Sequence, residues 1–165
     1  MARLKFVVYP LIFCLMLYGV VILLKYCGFS IVFQESASMP VGYYFVYPSS
    51  SIKANNIVLI SVSKKLSDFL ITRGYLKGNK PLLKEVLAVP GDAVCFHESS
   101  VSVANKDFPL FKLDKEGRML PKIKYCSTLK RGEYFVIGTA SEHSFDSRYF
   151  GIINGEQILG IAFKL

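Results

Sequence analysis

The sequence predicts a mainly β domain with one short helix, preceded by a single N-terminal apolar helix. Three observations lead there. A nineteen-residue run from Phe6 to Leu24 carries no charge. Beyond it, short runs rich in Val, Ile, Tyr and Phe recur, each closed by proline, glycine or serine, as strands are. Only one later stretch has helical spacing, so the strand–helix alternation that builds a parallel sheet is missing.

The chain has 165 residues, enough for one domain with its own core. Hydrophobic residues make up 52% of it, and much of that excess lies in the first 33 positions, which separates a membrane segment from an ordinary globular remainder. As a helix, Phe6–Leu24 spans about 28 Å, close to the thickness of a bilayer core. Pro10 lies near the start of the run, where a helix tolerates it best. Arg3 and Lys5 precede the run and only Lys25 follows closely. The positive-inside rule then keeps the N-terminus in the cytoplasm and exports the rest. A cleavable signal peptide would have a shorter apolar core and a following A-x-A pattern, so the segment reads as a retained anchor. The expected organisation is a stub and transmembrane anchor over residues 1–27 and an exported domain over residues 28–165.

The elements follow in order. Ser30–Phe33, Val41–Tyr47 and Ile57–Val62 read as strands. Lys64–Lys77 carries Leu66, Phe69 and Leu70 at helical spacing, with Ser63 as an N-cap and Gly74 or Gly78 as the stop. Leu82–Val89 is a strand ending at the turn Pro90-Gly91-Asp92, and Ala93–Phe96 continues as another. The stretch from Glu98 to Lys130 is polar, with turns expected at Asn105-Lys106-Asp107 and Lys115-Glu116-Gly117. Tyr134–Ile137 and Ile158–Phe163 are the last strands.

The formal charge of +8 is scattered along the chain without aromatic interleaving, which argues against nucleic acid and for attraction to anionic lipid head groups. Of four cysteines, Cys14 lies inside the apolar run and Cys27 just outside it. Cys95 and Cys126 flank the polar stretch, and an oxidising compartment permits a bridge between them, although sequence leaves the pairing open. No cofactor and no metal is expected.

Three segments carry chemistry: Ser36-Ala37-Ser38-Met39-Pro40-Val41-Gly42, Leu83-Lys84-Glu85-Val86-Leu87-Ala88-Val89-Pro90-Gly91-Asp92, and Ser144-Phe145-Asp146-Ser147-Arg148-Tyr149-Phe150-Gly151. A serine hydroxyl needs a neighbouring base to act as a nucleophile. His97 and His143 both sit beside glutamates in polar stretches and read as surface residues. A lysine serves as a base only when neutral, which burial among apolar groups favours. On a strand, Leu82, Lys84, Val86 and Ala88 share one face while Glu85 points to the other. Taken alone, Lys84 better fits an edge-strand lysine whose head reaches solvent. Ser38 alone equally fits a turn before Pro40, and Ser36 would lie on its side of an extended chain. Asp146 and Arg148, two apart, share a face if the segment is a strand and would pair there, with Ser144 on the same face.

Together the three boxes, in this order behind an anchor, resemble the signal peptidase I superfamily of Ser/Lys proteases. Within it, Ser38-Met39-Pro40-Val41-Gly42-Tyr43-Tyr44, Arg73-Gly74-Tyr75-Leu76 and the last box are most similar to the TraF-type conjugative transfer peptidases. One departure is Gly138-Thr139-Ala140-Ser141-Glu142, where general signal peptidases carry Gly-Asp-Asn-Arg-Asp. The departure favours a specialised enzyme over a housekeeping one.

The resemblance implies a signal-peptidase-like β-domain with Ser38 as nucleophile and Lys84 as general base. Ser36 would line the oxyanion site, Ser144 would position the lysine, and Asp146 with Arg148 would support the dyad. It further implies a membrane-bound serine endopeptidase in the bacterial inner membrane, catalytic on the periplasmic side. Its partners would be membrane lipid and a precursor protein, a pilin or conjugative transfer protein, cut after small residues. The acyl-enzyme would be resolved by water or by a substrate amine. Two other readings stay open: a general leader peptidase, and a non-catalytic anchored component of a secretion or pilus apparatus.

Overall fold

The computed structural model describes residues 2–165, with side-chain surroundings for residue 6 and residues 8–165. The side chains of Arg3 and Lys5, on which the expected orientation rests, lie outside the described residues. Helix α1 (Ala2–Tyr26) takes in the whole charge-free run, Pro10 included. Its Val8–Tyr26 stretch is apolar and long enough to cross a bilayer, and none of it is buried within the chain. Gly28 ends the helix at φ 86°, a left-handed conformation natural to glycine, and β1 (Ser30–Gln34) begins two residues on.

The strands that follow are β2 (Gly42–Tyr47), β3 (Ile57–Ile60), β4 (Leu82–Ala88), β5 (Ala93–Phe96) and β6 (Ser100–Val103). Then come β7 (Lys106–Pro109), β8 (Cys126–Thr128), β9 (Glu133–Ile137), β10 (Ile153–Asn154) and β11 (Ile158–Lys164). Two further helices, α2 (Lys64–Thr72) and α3 (Ser147–Phe150), complete the element set with one 3₁₀ turn at Gly155–Gln157. A seven-stranded antiparallel sheet runs β1-β2-β11-β3-β4-β9-β10, and a four-stranded one runs β7-β6-β5-β8. The C-terminal strand β11 therefore lies inside the large sheet, between β2 and β3.

Directly opposed residues share a face, so register sorts the core. Tyr44, Val46, Leu59, Leu83 and Ala162 pack with Met39 on one face of the large sheet. Val58, Ile60, Val86, Val136, Ile153 and Ile161 fill the other. Lys84 is opposite Val58, which puts it on this second apolar face. Each such aliphatic side chain contributes roughly 1.5–3 kcal/mol on burial, enough collectively to hold one lysine among them. The Val41–Tyr47 aromatics divide by the same alternation: Tyr44 is buried, while Tyr43 is exposed against Phe33 at 4.9 Å.

Three expectations need correction. Helix α2 stops at Thr72, short of Lys77, at the earlier of the two expected glycine stops: Gly74 takes φ 70° and the Tyr75 N–H turns back to the Leu70 carbonyl at 2.8 Å. Its start is as expected, with Ser63 Oγ accepting from the Leu66 N–H at 3.3 Å. The polar stretch after Glu98 holds three strands, β6 to β8. Its turn sits at Ala104-Asn105, one position earlier than expected, with both residues at positive φ as a two-residue hairpin requires. Valines 101 and 103 on β6 supply the apolar face that packs against Val94 and Phe135. Finally, the segment carrying Asp146 and Arg148 is a helical turn and not a strand. Cys95 and Cys126 are cross-strand neighbours on β5 and β8 and form a disulfide.

Candidate active site

The loop carrying Ser38 leaves the sheet at Gln34 and returns at Gly42, and these two residues are paired across β1 and β2. Its base is thus closed by backbone hydrogen bonding. Met39 is fully buried and plugs the loop into the core. The Tyr44 hydroxyl donates to the Pro40 carbonyl at 2.7 Å, and the Ala140 N–H donates to the Ser38 carbonyl at 3.1 Å. These four constraints fix the backbone of Ser38, whose side chain stays half-buried at the cleft. Ser38 Oγ lies 2.9 Å from Ser36 Oγ. The Gln34 carboxamide donates to Ser36 O and Ser36 Oγ, each at 2.8 Å, and to Ser38 Oγ at 3.4 Å.

Lys84 sits in the middle of β4 and is 3% exposed. Its Nζ donates to Ser144 Oγ at 2.7 Å. Burial out of water brings the amine down from its ordinary value to about 8. The Asp146 carboxylate opposes that fall and the Arg148 guanidinium adds to it. The sheet supplies a dry environment, and the adjacent ion pair leaves little net charge to refill it.

That pair is made by the short helix α3. Asp146 is its N-cap, fully buried, and accepts from the Arg148 N–H at 3.2 Å. Its carboxylate also takes Arg148 Nε and Nη2, each at 2.9 Å, and the Gly138 N–H at 2.9 Å. A carboxylate has about four lone-pair sites, and all are used. Arg148 Nη2 reaches on to the Ser144 carbonyl at 3.2 Å, so the guanidinium ties both ends of the turn that presents Ser144. The expected pairing is present, but one helical turn brings the two side chains together where a strand face was expected.

Ser36, Ser38, Lys84 and Ser144 all line one cleft of about 450 Å³. Among the described residues, the Ser38 hydroxyl is bonded to Ser36 and Gln34 and the Lys84 amine to Ser144, with no direct bond between the two groups. Their halves of the site meet at Gly138. A Cβ there would stand 2.1 Å from Ser144 Oγ and 2.6 Å from the Ser38 carbonyl oxygen, so only glycine lets both approach.

Asp114 also lines the cleft and accepts from the Tyr75 hydroxyl and from Arg118 Nε at 2.7 Å. Phe145, between Ser144 and Asp146, packs on Phe69 and Tyr75 at 5.4 Å each and on Tyr149 at 5.5 Å. Sequence reasoning missed Gln34, Gly138, Asp114 and Phe145. A glycine directly after a predicted strand signals close backbone approach, and an Asp three residues before Gly117 signals a turn. No local signal marks Gln34 or Phe145. His143 is exposed as expected, stacked on Phe111 at 4.4 Å.

The chain is similar to several known proteins. A plasmid transfer protein TraF of Escherichia coli is 34% identical over 135 residues, which is 76% of this chain and 76% of its own. Signal peptidase I V of Bacillus subtilis is 30% identical over 94 residues, 50% of this chain and 56% of its own. Signal peptidase IB of Staphylococcus aureus is 28% identical over 129 residues, 69% of this chain and 60% of its own. A signal peptidase I structure from Enterococcus faecalis aligns with 68% of this chain and 97% of its own at 17% identity and a TM-score of 0.39, too loosely to carry residue correspondences. The family model for signal peptidase, peptidase S26, matches residues 5–165, and the chain belongs to that family.

Proposed function

We propose that this chain is a membrane-anchored serine endopeptidase in which Ser38 is the nucleophile and Lys84 the general base. Family membership supports a serine peptidase acting on signal-peptide-bearing proteins. The observation that carries the residue assignment is Lys84: a buried amine lowered to about 8, in the same cleft as a half-buried serine hydroxyl. A lysine so placed has a neutral fraction at neutral to mildly alkaline pH, which a general base requires.

In the proposed reaction Lys84 Nζ leaves Ser144 Oγ to take the Ser38 proton, since catalytic hydrogen bonds commonly tighten only in the Michaelis complex. Ser38 Oγ bonds the scissile carbon. The oxyanion accepts from the Ser38 N–H and the Ser36 hydroxyl. Lys84 then gives its proton to the leaving amine, and the ester is hydrolysed. Ser144, held by Arg148, keeps the amine in place, and Asp146 fixes Arg148.

The similarity to TraF over 76% of the chain supports a precursor from a conjugative or pilus system as substrate. The orientation we propose puts residues 28–165 outside the bacterial inner membrane, with α1 across the bilayer and the exposed Phe33, Tyr43 and Phe163 resting at its interface. Ser38→Ala and Lys84→Ala are each expected to leave a co-expressed transfer-type precursor uncut on an immunoblot. Normal processing by both variants would sink the dyad. Rescue of a cell depleted of its own leader peptidase would favour the general enzyme instead.

A further inference from the structure

We infer that Gln34 is a positioning residue for the Ser36–Ser38 pair, its carboxamide aiming the Ser36 hydroxyl proton at the reaction centre. The inference rests on the proposed roles of Ser38 and Lys84. Gln34 is the last residue of β1, and its pairing with Gly42 fixes its Cα in the sheet. The loop that follows folds back over its half-buried side chain.

Gln34 Nε2 has three acceptors in reach: Ser36 O at 2.8 Å, Ser36 Oγ at 2.8 Å and Ser38 Oγ at 3.4 Å. A carbonyl oxygen can only accept, so the amide must present its NH₂ edge to Ser36 O; the reversed amide would set two oxygens against each other. That orientation makes Gln34 the donor and biases the remaining protons. Ser36 Oγ accepts from Gln34 and keeps one proton of its own. Ser38 Oγ stands 2.9 Å away, and the Ser38 proton is the one Lys84 removes. Either hydroxyl can donate across that distance, and the bond Ser36 Oγ accepts from Gln34 polarises its own O–H and favours Ser36 as the donor to Ser38 Oγ. When Ser38 Oγ bonds the carbonyl carbon, a small rotation of Ser36 carries the same proton to the adjacent oxyanion.

Without Gln34 that bias is lost, and Ser36 accepts more readily from Ser38, which would occupy the proton that Lys84 must take. Gln34 itself transfers nothing. One proton passes from Ser38 Oγ to Lys84 Nζ and on to the leaving group, and the protons of Gln34 and Ser36 stay where they are.

The test uses the full-length chain in detergent with a penem as acylating probe, separating the acylation rate constant from half-saturation. Gln34→Glu keeps the size of the side chain but cannot donate. Its acylation rate constant is expected to fall about 10-fold with half-saturation unchanged, less than the loss of a direct oxyanion donor because the effect passes through Ser36. Gln34→Ala should match it. In a Ser36→Ala background, Gln34→Ala should cost less than about twofold.

Rates within about twofold of wild type for Gln34→Glu would overturn the inference. So would a full loss persisting in the Ser36→Ala background, which would mean that Gln34 supports the loop and not the hydroxyl. Those outcomes leave the dyad standing as long as labelling still requires Ser38. Labelling that survives Ser38→Ala, or a wild-type chain that takes no label, overturns the dyad and this inference together.

Discussion

Lys84 Nζ and Ser144 Oγ lie 2.7 Å apart, both buried, although 60 residues separate them in the chain. The hydroxyl is the amine's only hydrogen-bond partner among the described residues, so it determines where the amine rests. Ser144→Ala removes that partner without changing the apolar face. We expect kcat to fall about 10-fold with KM unchanged, the worth of one positioning hydrogen bond. Steady-state kinetics on a cleavable reporter peptide would show it, and an unchanged kcat would remove Ser144 from the site.

The lowered Lys84 value makes two pH statements. Activity should rise along an acid limb with its midpoint near pH 8, where the buried amine loses its proton. Stability should rise too. The folded-state value lies below the ordinary 10.5, so the unfolded chain binds more protons between about 8 and 10.5. The penalty for the buried charge is full below pH 8 and is relieved across that window. Lys84→Met removes both effects: the variant should be inactive, melt higher than wild type at pH 7, and lose the rise in Tm between pH 8 and 10.5. A melting series with equal slopes in the two proteins would contradict a charged, buried Lys84.

Arg148→Ala would leave the Asp146 carboxylate buried without its cation. Breaking such a pair costs about 3–5 kcal/mol. It also removes the positive charge that helps lower Lys84 and leaves the negative one that raises it, so the acid limb should move to higher pH. Arg148→Lys keeps the charge but not the two-pronged grip, and should fall between. Denaturant melts together with pH–rate profiles check both parts, and a limb that stays near pH 8 in Arg148→Ala would contradict the electrostatic one.

Gly138→Ala introduces a methyl 2.1 Å from Ser144 Oγ and 2.6 Å from the Ser38 carbonyl. Relief requires moving either the hydroxyl of Ser144 or the backbone of Ser38. We expect about 1–3 kcal/mol of destabilisation and at least about a 10-fold loss in penem acylation. Wild-type acylation in Gly138→Ala would mean that the two halves of the site need not meet there.

The Cys95–Cys126 disulfide closes 31 residues on the small sheet, away from the cleft lining. Its loss should cost about 3–4 kcal/mol by chain entropy, seen as a lower Tm under reductant, while acylation below the melting range stays unchanged. Equal melting with and without reductant would argue that the bridge is not formed in the purified protein.

The sequence by itself determined the apolar helix, most of the strands, and the residue types that can do the chemistry. A charge-free run and period-two alternation are local properties, readable without knowing what packs on them. Alternation alone already put Lys84 on a face with Leu82 and Val86, and the order of the three boxes pointed to the family. In the second sheet β5 was legible, but β6, β7 and β8 escaped because they are four, four and three residues long within polar surroundings. Only the tertiary structure decided how the boxes meet. Insertion of β11 beside β3, the register that sets Lys84 opposite Val58, and the helical turn that folds Arg148 onto Asp146 are all long-range or capping effects. Gly138 acquires meaning only from atoms that arrive from elsewhere, above all the Ser38 carbonyl, and Gln34 only from the way the serine loop two to four residues on folds back over it. Side-chain type fixes what a group can do, but the approach of distant backbone decides whether it has anything to do it to.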